Sequence, residues 1–571
     1  NKWMEKRWSQ YFKGKIRLQE TFSTPYGHGS ILKMGKTTYF YYNGLPYLHF
    51  PGRESLIPFL HFILNQHPKP QKVFFMGVSP QGMGDLSIYG LKRIHFLFQD
   101  KIYFQKLLPY LHKDDKRFLK APAFHLLYQD GLQGILHARQ TFDILFISPP
   151  PPSTFSQNRF YTVEFFQQAA RNLTQQGVFV LSLESAYSLQ KDSPLGKMNQ
   201  IVYQTLAKVF RYIKVLPGDK SLFICSQTKG ITTLSPDELG RRIARYPFSP
   251  YYKQKALSNF DLSSKEKKAL FFTTLFENLI PIQHLEEVMI ALRGEPLSPK
   301  NTLNPPSLPW QKKREEQKRL HTLWKAPSPS TIREWNQFLK PLCPFYYILY
   351  WNQDLEKNST FTRALEFWKA KGKPLFILAW AVLFLCIFMV LLKKRSSLSF
   401  AMGSMFWTAF GAMGIMLYLL LYFQIFQGVL YSVLGLFLGI FMFSIALGSL
   451  GSKILSKPIG PVFGFSILVP LAIPIFLKPT LSITAYGVLL GSLGLLVGLI
   501  FRALHTLNSS YKDASFGSLV YSADIMGGFL GTFAFPLIYL STWTLKEFCY
   551  LFALGQACFL ILWYFSFRPT Q

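Results

Sequence analysis

Acidic side chains are scarce in this chain: 30 Asp and Glu stand against 62 Lys and Arg over 571 residues, a formal net charge of +32. Cysteine is scarcer still. The five (Cys225, Cys343, Cys386, Cys549, Cys558) form no CxxC pair and no Cys/His cluster, which argues against structural zinc, c-type haem and a disulfide framework. No metal site is expected. Charge of either sign is nearly missing from Pro374 onward, where ten basic and three acidic residues remain. Residues 1–373 hold the other 52 basic and 27 acidic side chains, so a basic, soluble part of +25 precedes an apolar one. Such a charge suits a nucleic acid, an anionic membrane face or an acidic partner. The bases are dispersed, with no helical basic stripe and no nucleic-acid motif, so no nucleic-acid partner is expected and a place beside anionic lipid is the simpler account. The stretch Asn1 to Gln19 has neither the apolar core nor the cleavage site of a signal peptide, and the opening Asn1 fits the remainder of a longer chain.

What is present is organised around Lys72 to Asp100. An apolar run (Val73 to Met76), a glycine cluster (Gly77, Gly82, Gly84) and a second apolar run (Ile94 to Phe98) spell strand, turn, crossover and strand, the opening of a nucleotide-binding sheet. In such a turn backbone N–H groups approach a ligand, and an acid about 20 residues on takes ribose hydroxyls. Asp100 stands near that place. Val78, Ser79, Pro80 and Gln81 crowd the turn, and Pro80 has no N–H to offer. A tight turn closing an ordinary α/β sheet also accounts for these glycines.

Before this unit, short alternating segments separated by Gly35, Asn43-Gly44 and Pro51-Gly52 predict a β-meander over about 20–52. After it, apolar runs at Ala123 to Leu127, Phe142 to Ile147, Val178 to Leu183 and Ser221 to Ser226 alternate with helical patterns at Thr162 to Leu173 and Met198 to Phe210. The expected fold is a doubly wound, Rossmann-like α/β sheet over about 70–228. Residues 229–373 read as a helical and irregular extension. Ser263-Ser-Lys-Glu266 predicts a capping box, Gln283 to Leu292 a helix and Pro299 to Ser330 an extended arm, while Pro344 to Trp351 is an aromatic segment suited to a membrane interface.

The order of Thr24-Pro-Tyr, Tyr42-Asn-Gly44, the glycine turn, Asp130-Gly131, Phe142 to Ser148 and Phe160 to Phe166 resembles that of spermidine synthases, over residues 20 to 228. Asn158-Arg-Phe-Tyr-Thr-Val-Glu-Phe-Phe166 and Pro217-Gly-Asp219 are more specifically similar to the membrane-fused branch, where a synthase-like domain accompanies transmembrane helices. The resemblance implies a class I methyltransferase-like fold and, in an active member, decarboxylated S-adenosylmethionine as the aminopropyl donor. It also implies which positions have changed. Of the family's GGGDGG turn only Gly77 and Gly82 survive; Phe98 takes the place of the ribose-binding acid, with Asp100 nearby. Asp130 keeps the acid that meets adenine. Ser148 replaces the catalytic Asp, and Ile57, Pro58 and Phe59 replace a substrate-side Tyr-His-Glu. A polycationic amine needs carboxylates to hold it and one to accept its proton, and Ser148 does neither at neutral pH. No cofactor is therefore expected.

From Pro374 the chain predicts an all-α transmembrane domain of about seven spans: 374–392, 399–423, 427–450, 459–477, 481–501, 516–540 and 547–567. Gly487, Gly491, Gly494 and Gly498 share one helical face, suited to close helix packing. Asp524, in a Tyr521-Ser-Ala-Asp524 segment that also resembles the fused family, is expected either to face the bundle with a hydrogen-bond partner or to sit at the headgroups. The basic loops place one side in the cytoplasm and the soluble domain outside a bacterial inner membrane. Lys357, Arg363, Lys369, Lys371 and Lys373 count the other way. Three functions compete: a non-catalytic scaffold or subunit of a membrane or envelope complex, an active aminopropyltransferase or related transferase, and a transporter with a regulatory soluble domain.

Overall fold

The structure, a computed structural model, describes residues 17–138, 140–186, 189, 192–256, 264–280, 335–338, 341–355, 397–428, 431–451, 459–477, 481–506, 515–540 and 544–567, with isolated residues between 288 and 381. It divides into two units, Asn1–Tyr350 and Trp351–Gln571.

The N-terminal unit begins with a four-stranded antiparallel sheet whose strands follow chain order: β1 (Arg17–Thr24), β2 (Gly27–Met34), β3 (Thr37–Tyr42) and β4 (Leu45–Phe50). Its turns are fixed locally. The Thr24 hydroxyl accepts from Tyr26 N and Gly27 N, and Asn43-Gly44 takes the two positive φ values, 50° and 82°, that a tight hairpin needs. The sequence signals had not marked β1, whose alternation is weak.

Helix α1 (Arg53–Leu64) leads into a seven-stranded sheet: β5 (Lys72–Met76), β6 (Arg93–Leu97), β7 (Phe124–Leu127), β8 (Phe142–Ile147), β9 (Leu173–Glu184), β10 (Tyr212–Leu216) and β11 (Lys220–Ser226), in the order β10-β11-β9-β8-β5-β6-β7. Strands β5 to β9 are parallel, and β11 is antiparallel to both β9 and β10. The order reverses at β5, which has β6 on one side and β8 on the other. A ligand crevice belongs there, beyond the strand C-termini. Val73, Phe75, Ile94, Phe96, Ile144 and Val180 form the buried centre, which is why these strands read as continuous apolar runs.

Between the strands lie α2 (Lys101–Leu107), α3 (Lys113–Phe118), α4 (Gly131–Leu136), α5 (Val163–Arg171) and α6 (Pro194–Ala207). Beyond residue 228 the unit continues without a break in its core. Helices α7 (Pro236–Ile243), α8 (Pro250–Ala256) and α9 (Lys265–Leu279) place Leu239, Tyr252, Phe272 and Phe276 in the same apolar cluster as Ile57 and Phe62. The buried Arg242 pins α7 by donating to the carbonyls of Asn65, Gln66 and Ile231. The cap of α9 is Ser264, one residue later than the sequence pattern placed it, accepting from Lys267 N at 3.2 Å. Most of 283–292 and all of 299–330 fall outside the described residues. Helix α10 (Cys343–Leu355) carries the aromatic segment, with Phe345, Tyr347 and Leu349 buried and Ile348 and Trp351 exposed.

Strand β10 escaped the sequence reading because Lys214 interrupts its apolar run. Its ammonium is buried and donates to the Thr232 carbonyl. Burial, and then the Arg242 charge, lower its pKa from 10.5 to about 7. The unfolded chain binds this proton more tightly, so stability rises as pH climbs from about 7 towards 10. Denaturant titrations across that window are expected to show a gain of a few kcal/mol, the order implied by the shift, and Lys214→Met is expected to flatten it.

In the C-terminal unit α11 (Ser397–Gln427), α12 (Tyr431–Gly451), α13 (Ile459–Phe476), α14 (Ile483–Thr506), α15 (Ser515–Leu540) and α16 (Leu545–Phe567) account for six of the expected spans. Five of them, all but α13, are long and apolar enough to cross a membrane. The stretch 374–392 lies mostly outside the described residues. Helices α12 and α14 meet through glycine, as do α11 and α15. Asp524, on α15, is half-buried, and no hydrogen bond or ion pair reaches it among the described residues.

Candidate functional site

The crevice is bounded by the segments that follow β5, β6, β7 and β8. Gly77 ends β5 with φ 68°, and a Cβ there would lie 2.3 Å from the Ser148 carbonyl oxygen. Ser148 N in turn donates to Met76 O at 2.9 Å. Glycine is thus required where the ends of β5 and β8 close on each other, whether or not a ligand ever lies above them.

The turn after Gly77 fills itself. Gln81 N donates to the Ser79 hydroxyl, and the buried Gln81 amide reaches back to His49 O at 3.1 Å. Gly82 has φ 81° and packs against Ile57 and Leu60 of α1, while Val78 and Met83 point into the core. One donor that opens the following 3-10 turn (Met83–Tyr89) is also used: Asp115, fully buried on α3, accepts from Gly84 N at 2.9 Å. Burial holds the Asp115 carboxyl above its ordinary value. A carboxylate of the chain itself therefore takes the Gly84 N–H, one of the donors next to the turn that could face an anion.

On the other side of β5, Asp100 caps α2, accepting from Tyr103 N at 3.0 Å, and also accepts from the Tyr42 hydroxyl at 3.0 Å. Phe98, two residues before it, is buried among Tyr47, Tyr103 and Phe104. An aromatic cluster spanning the two sheets thus stands where the resemblance implied a ribose carboxylate. Asp130 caps α4 through Leu132 N and Gln133 N and is held bidentately by Arg159, at 2.5 and 3.2 Å, with both side chains buried. The Arg159 guanidinium also lies 4.7 Å from the centre of the Phe160 ring. Burial raises the Tyr26 hydroxyl, and the charges of Asp130 and then Asp100 add to the rise.

Over the ends of β8 and β9 the loop Pro149 to Pro152 is tied down. The buried Tyr161 hydroxyl donates to the carbonyls of Pro149 and Pro150 at 3.3 and 2.9 Å. Ser148 is partly exposed at the mouth, and Ile57 is fully buried in α1. Gly77, Asp100, Asp130 and Ser148 follow the C-terminal ends of β5, β6, β7 and β8, Gly82 packs against α1, and Asp524 lies in the other unit. Sequence reasoning placed Gln81 in the turn but missed Asp115 and Arg159 as partners of the groups around it. Arg159 sits inside a segment the family resemblance had already marked, but nothing local named Asp130 as its partner. No group of three or more His, Cys, Asp or Glu suited to a metal occurs among the described residues.

No family model matches the chain, and no curated protein does. Among solved structures it is similar to a spermidine synthase in complex with the transition-state analogue AdoDATO, at 16% identity over 44% of this chain and 88% of that one, TM-score 0.31. It is also similar to spermidine synthase from Thermotoga maritima, at 17% identity over 45% of this chain and 88% of that one, TM-score 0.32. A probable spermidine synthase from Corynebacterium glutamicum gives 13% identity over 42% and 95%, TM-score 0.30. At these values the likeness speaks to neither activity nor substrate.

Proposed function

We propose that this is an integral, multi-pass membrane protein whose N-terminal unit is a spermidine synthase-like domain without aminopropyl transfer, serving as a scaffold or subunit among other membrane or envelope proteins. A bacterial inner membrane, with the domain on the extracytoplasmic side, is the setting that fits the basic loops. The observation that carries the reading is the state of the crevice carboxylates. Asp130 is engaged by Arg159 and two N–H groups, and Asp100 by the Tyr42 hydroxyl and Tyr103 N of its own helix. An enzyme acting on a polyamine needs a carboxylate free to hold a cation or take a proton, and a committed acid loses that capacity unless its partner is displaced. Ser148 supplies no substitute. Decarboxylated S-adenosylmethionine would also meet a turn in which Gln81 N and Gly84 N are already bonded.

Isothermal calorimetry of the purified chain with decarboxylated S-adenosylmethionine and putrescine, followed by a product assay, tests this. Neither binding in the micromolar range nor product is expected. Micromolar binding with turnover that Asp130→Ala abolishes would restore the enzyme.

A further inference from the structure

Residues 335–338 and 341–349 lie in the N-terminal unit more than fifty residues beyond α9, and they are bonded to the 158–164 segment, α6 and the end of β9. Asn336 is fully buried and spends nearly every polar group it has on the attachment. Its N–H donates to the Thr205 hydroxyl at 2.9 Å, and its carbonyl accepts from Val163 N at 2.9 Å. Its side-chain amide donates to Asn158 Oδ1 at 2.7 Å and to Tyr161 O at 2.9 Å, and its side-chain oxygen accepts from Leu342 N at 2.8 Å. Phe338 N adds a bond to the Glu164 carboxylate, and the Tyr347 hydroxyl donates to Glu184, the last residue of β9, at 3.0 Å. Phe338, Leu342, Cys343, Phe345 and Leu349 are buried along the same path.

The residues so held are those that shape the crevice mouth on the β8–β9 side. Tyr161, whose carbonyl Asn336 grips, is the residue whose hydroxyl fixes Pro149 and Pro150 directly after Ser148. We propose that residues 335–338 and 341–349 are a clamp in cis, which keeps the β8–β9 side of the crevice shut by holding Tyr161 and the loop that follows Ser148. The inference rests on the reading that this crevice is closed. The physical reason is the concentration of bonds on one side chain: a buried asparagine with all donors and acceptors paired is costly to dislodge, but once dislodged it releases the loop, Tyr161 and the Tyr347 contact together.

Cys343, at the start of α10 and fully buried, reports the clamp; Cys225, buried in β11, reports the sheet. The full chain in mild detergent is treated with a maleimide and labelling of each cysteine is followed by peptide mass spectrometry. Asn336→Ala is expected to speed Cys343 labelling about tenfold or more, because buried hydrogen bonds lost from the clamp weigh directly on its local opening, while Cys225 stays protected. Tyr347→Phe, a milder change that leaves the apolar packing intact, is expected to act in the same direction with a smaller effect. Unchanged Cys343 labelling in both variants would overturn the clamp, as would parallel exposure of Cys225 in both, which would make the segment an ordinary part of the global fold. Binding of decarboxylated S-adenosylmethionine by the unmodified chain would instead count against the closed crevice while leaving the Cys343 result standing, so the two failures are separable.

Discussion

Leucine in place of Gly498 is expected to abolish recovery of a monodisperse chain in mild detergent, whereas leucine in place of Gly487 leaves recovery and melting temperature nearly unchanged. All of Gly487, Gly491, Gly494 and Gly498 lie on one face of α14, yet they are not equivalent. A Cβ at Gly498 would fall 2.2 Å from Ile445 O, and one at Gly494 2.4 Å from Phe441 O. Helix α12 reciprocates, since a Cβ at Gly448 would fall 2.4 Å from Leu495 O. At Gly487 the nearest atom is the flexible Ile440 Cδ1 at 3.5 Å. Overpacking that side chains can absorb costs about 1–3 kcal/mol. Here the obstacle is backbone on both sides, so the two helices must separate along their length and lose the close packing that substitutes for a hydrophobic driving force in lipid. Size-exclusion profiles and thermal aggregation of the two variants decide the matter; similar behaviour would mean the glycine contact is not what joins α12 to α14.

Removing the guanidinium from the crevice is the second large effect. Arg159→Ala strands the Asp130 carboxylate in a site where its side chain is 8% exposed, with only two N–H groups for company. Breaking a buried pair in this way costs about 3–5 kcal/mol, mostly the penalty of the charge left behind. The N-terminal unit is expected to melt on the order of 10 °C lower. Asp130→Asn added to Arg159→Ala is expected to recover most of that loss, because a neutral amide keeps the helix cap without the charge. A loss below about 1 kcal/mol in the single variant would show that water reaches Asp130 freely, and with it would go the claim that the acid is fully committed.

Several elements were legible because their signal is local. The runs Val73 to Met76, Ile94 to Leu97 and Phe142 to Ile147 are apolar because both faces of a central parallel strand are covered. Asn43-Gly44 announces a hairpin because few residues accept two successive positive φ values. The long apolar helices follow from bilayer thickness and the cost of an unbonded backbone in lipid. Strand β10 was lost because a lysine in an apolar run reads as a solvated break, and only burial against Thr232 makes it tolerable.

The amino-acid sequence by itself determined the two-part character of the chain, the positions of the sheet strands next to the glycine turn and the absence of an acid at Ser148, since each depends on residue type and near-neighbour spacing. Tertiary structure alone decided what the remaining acids do. Asp130 and Arg159 are 29 residues apart, Asp115 is 31 from Gly84, and Asn336 is 175 from Tyr161. Periodicity tells a residue which face it occupies but never which distant group will meet it there. Whether a carboxylate waits for a ligand or is already spent on the chain's own N–H groups and guanidinium is therefore settled only when the strands and helices have packed.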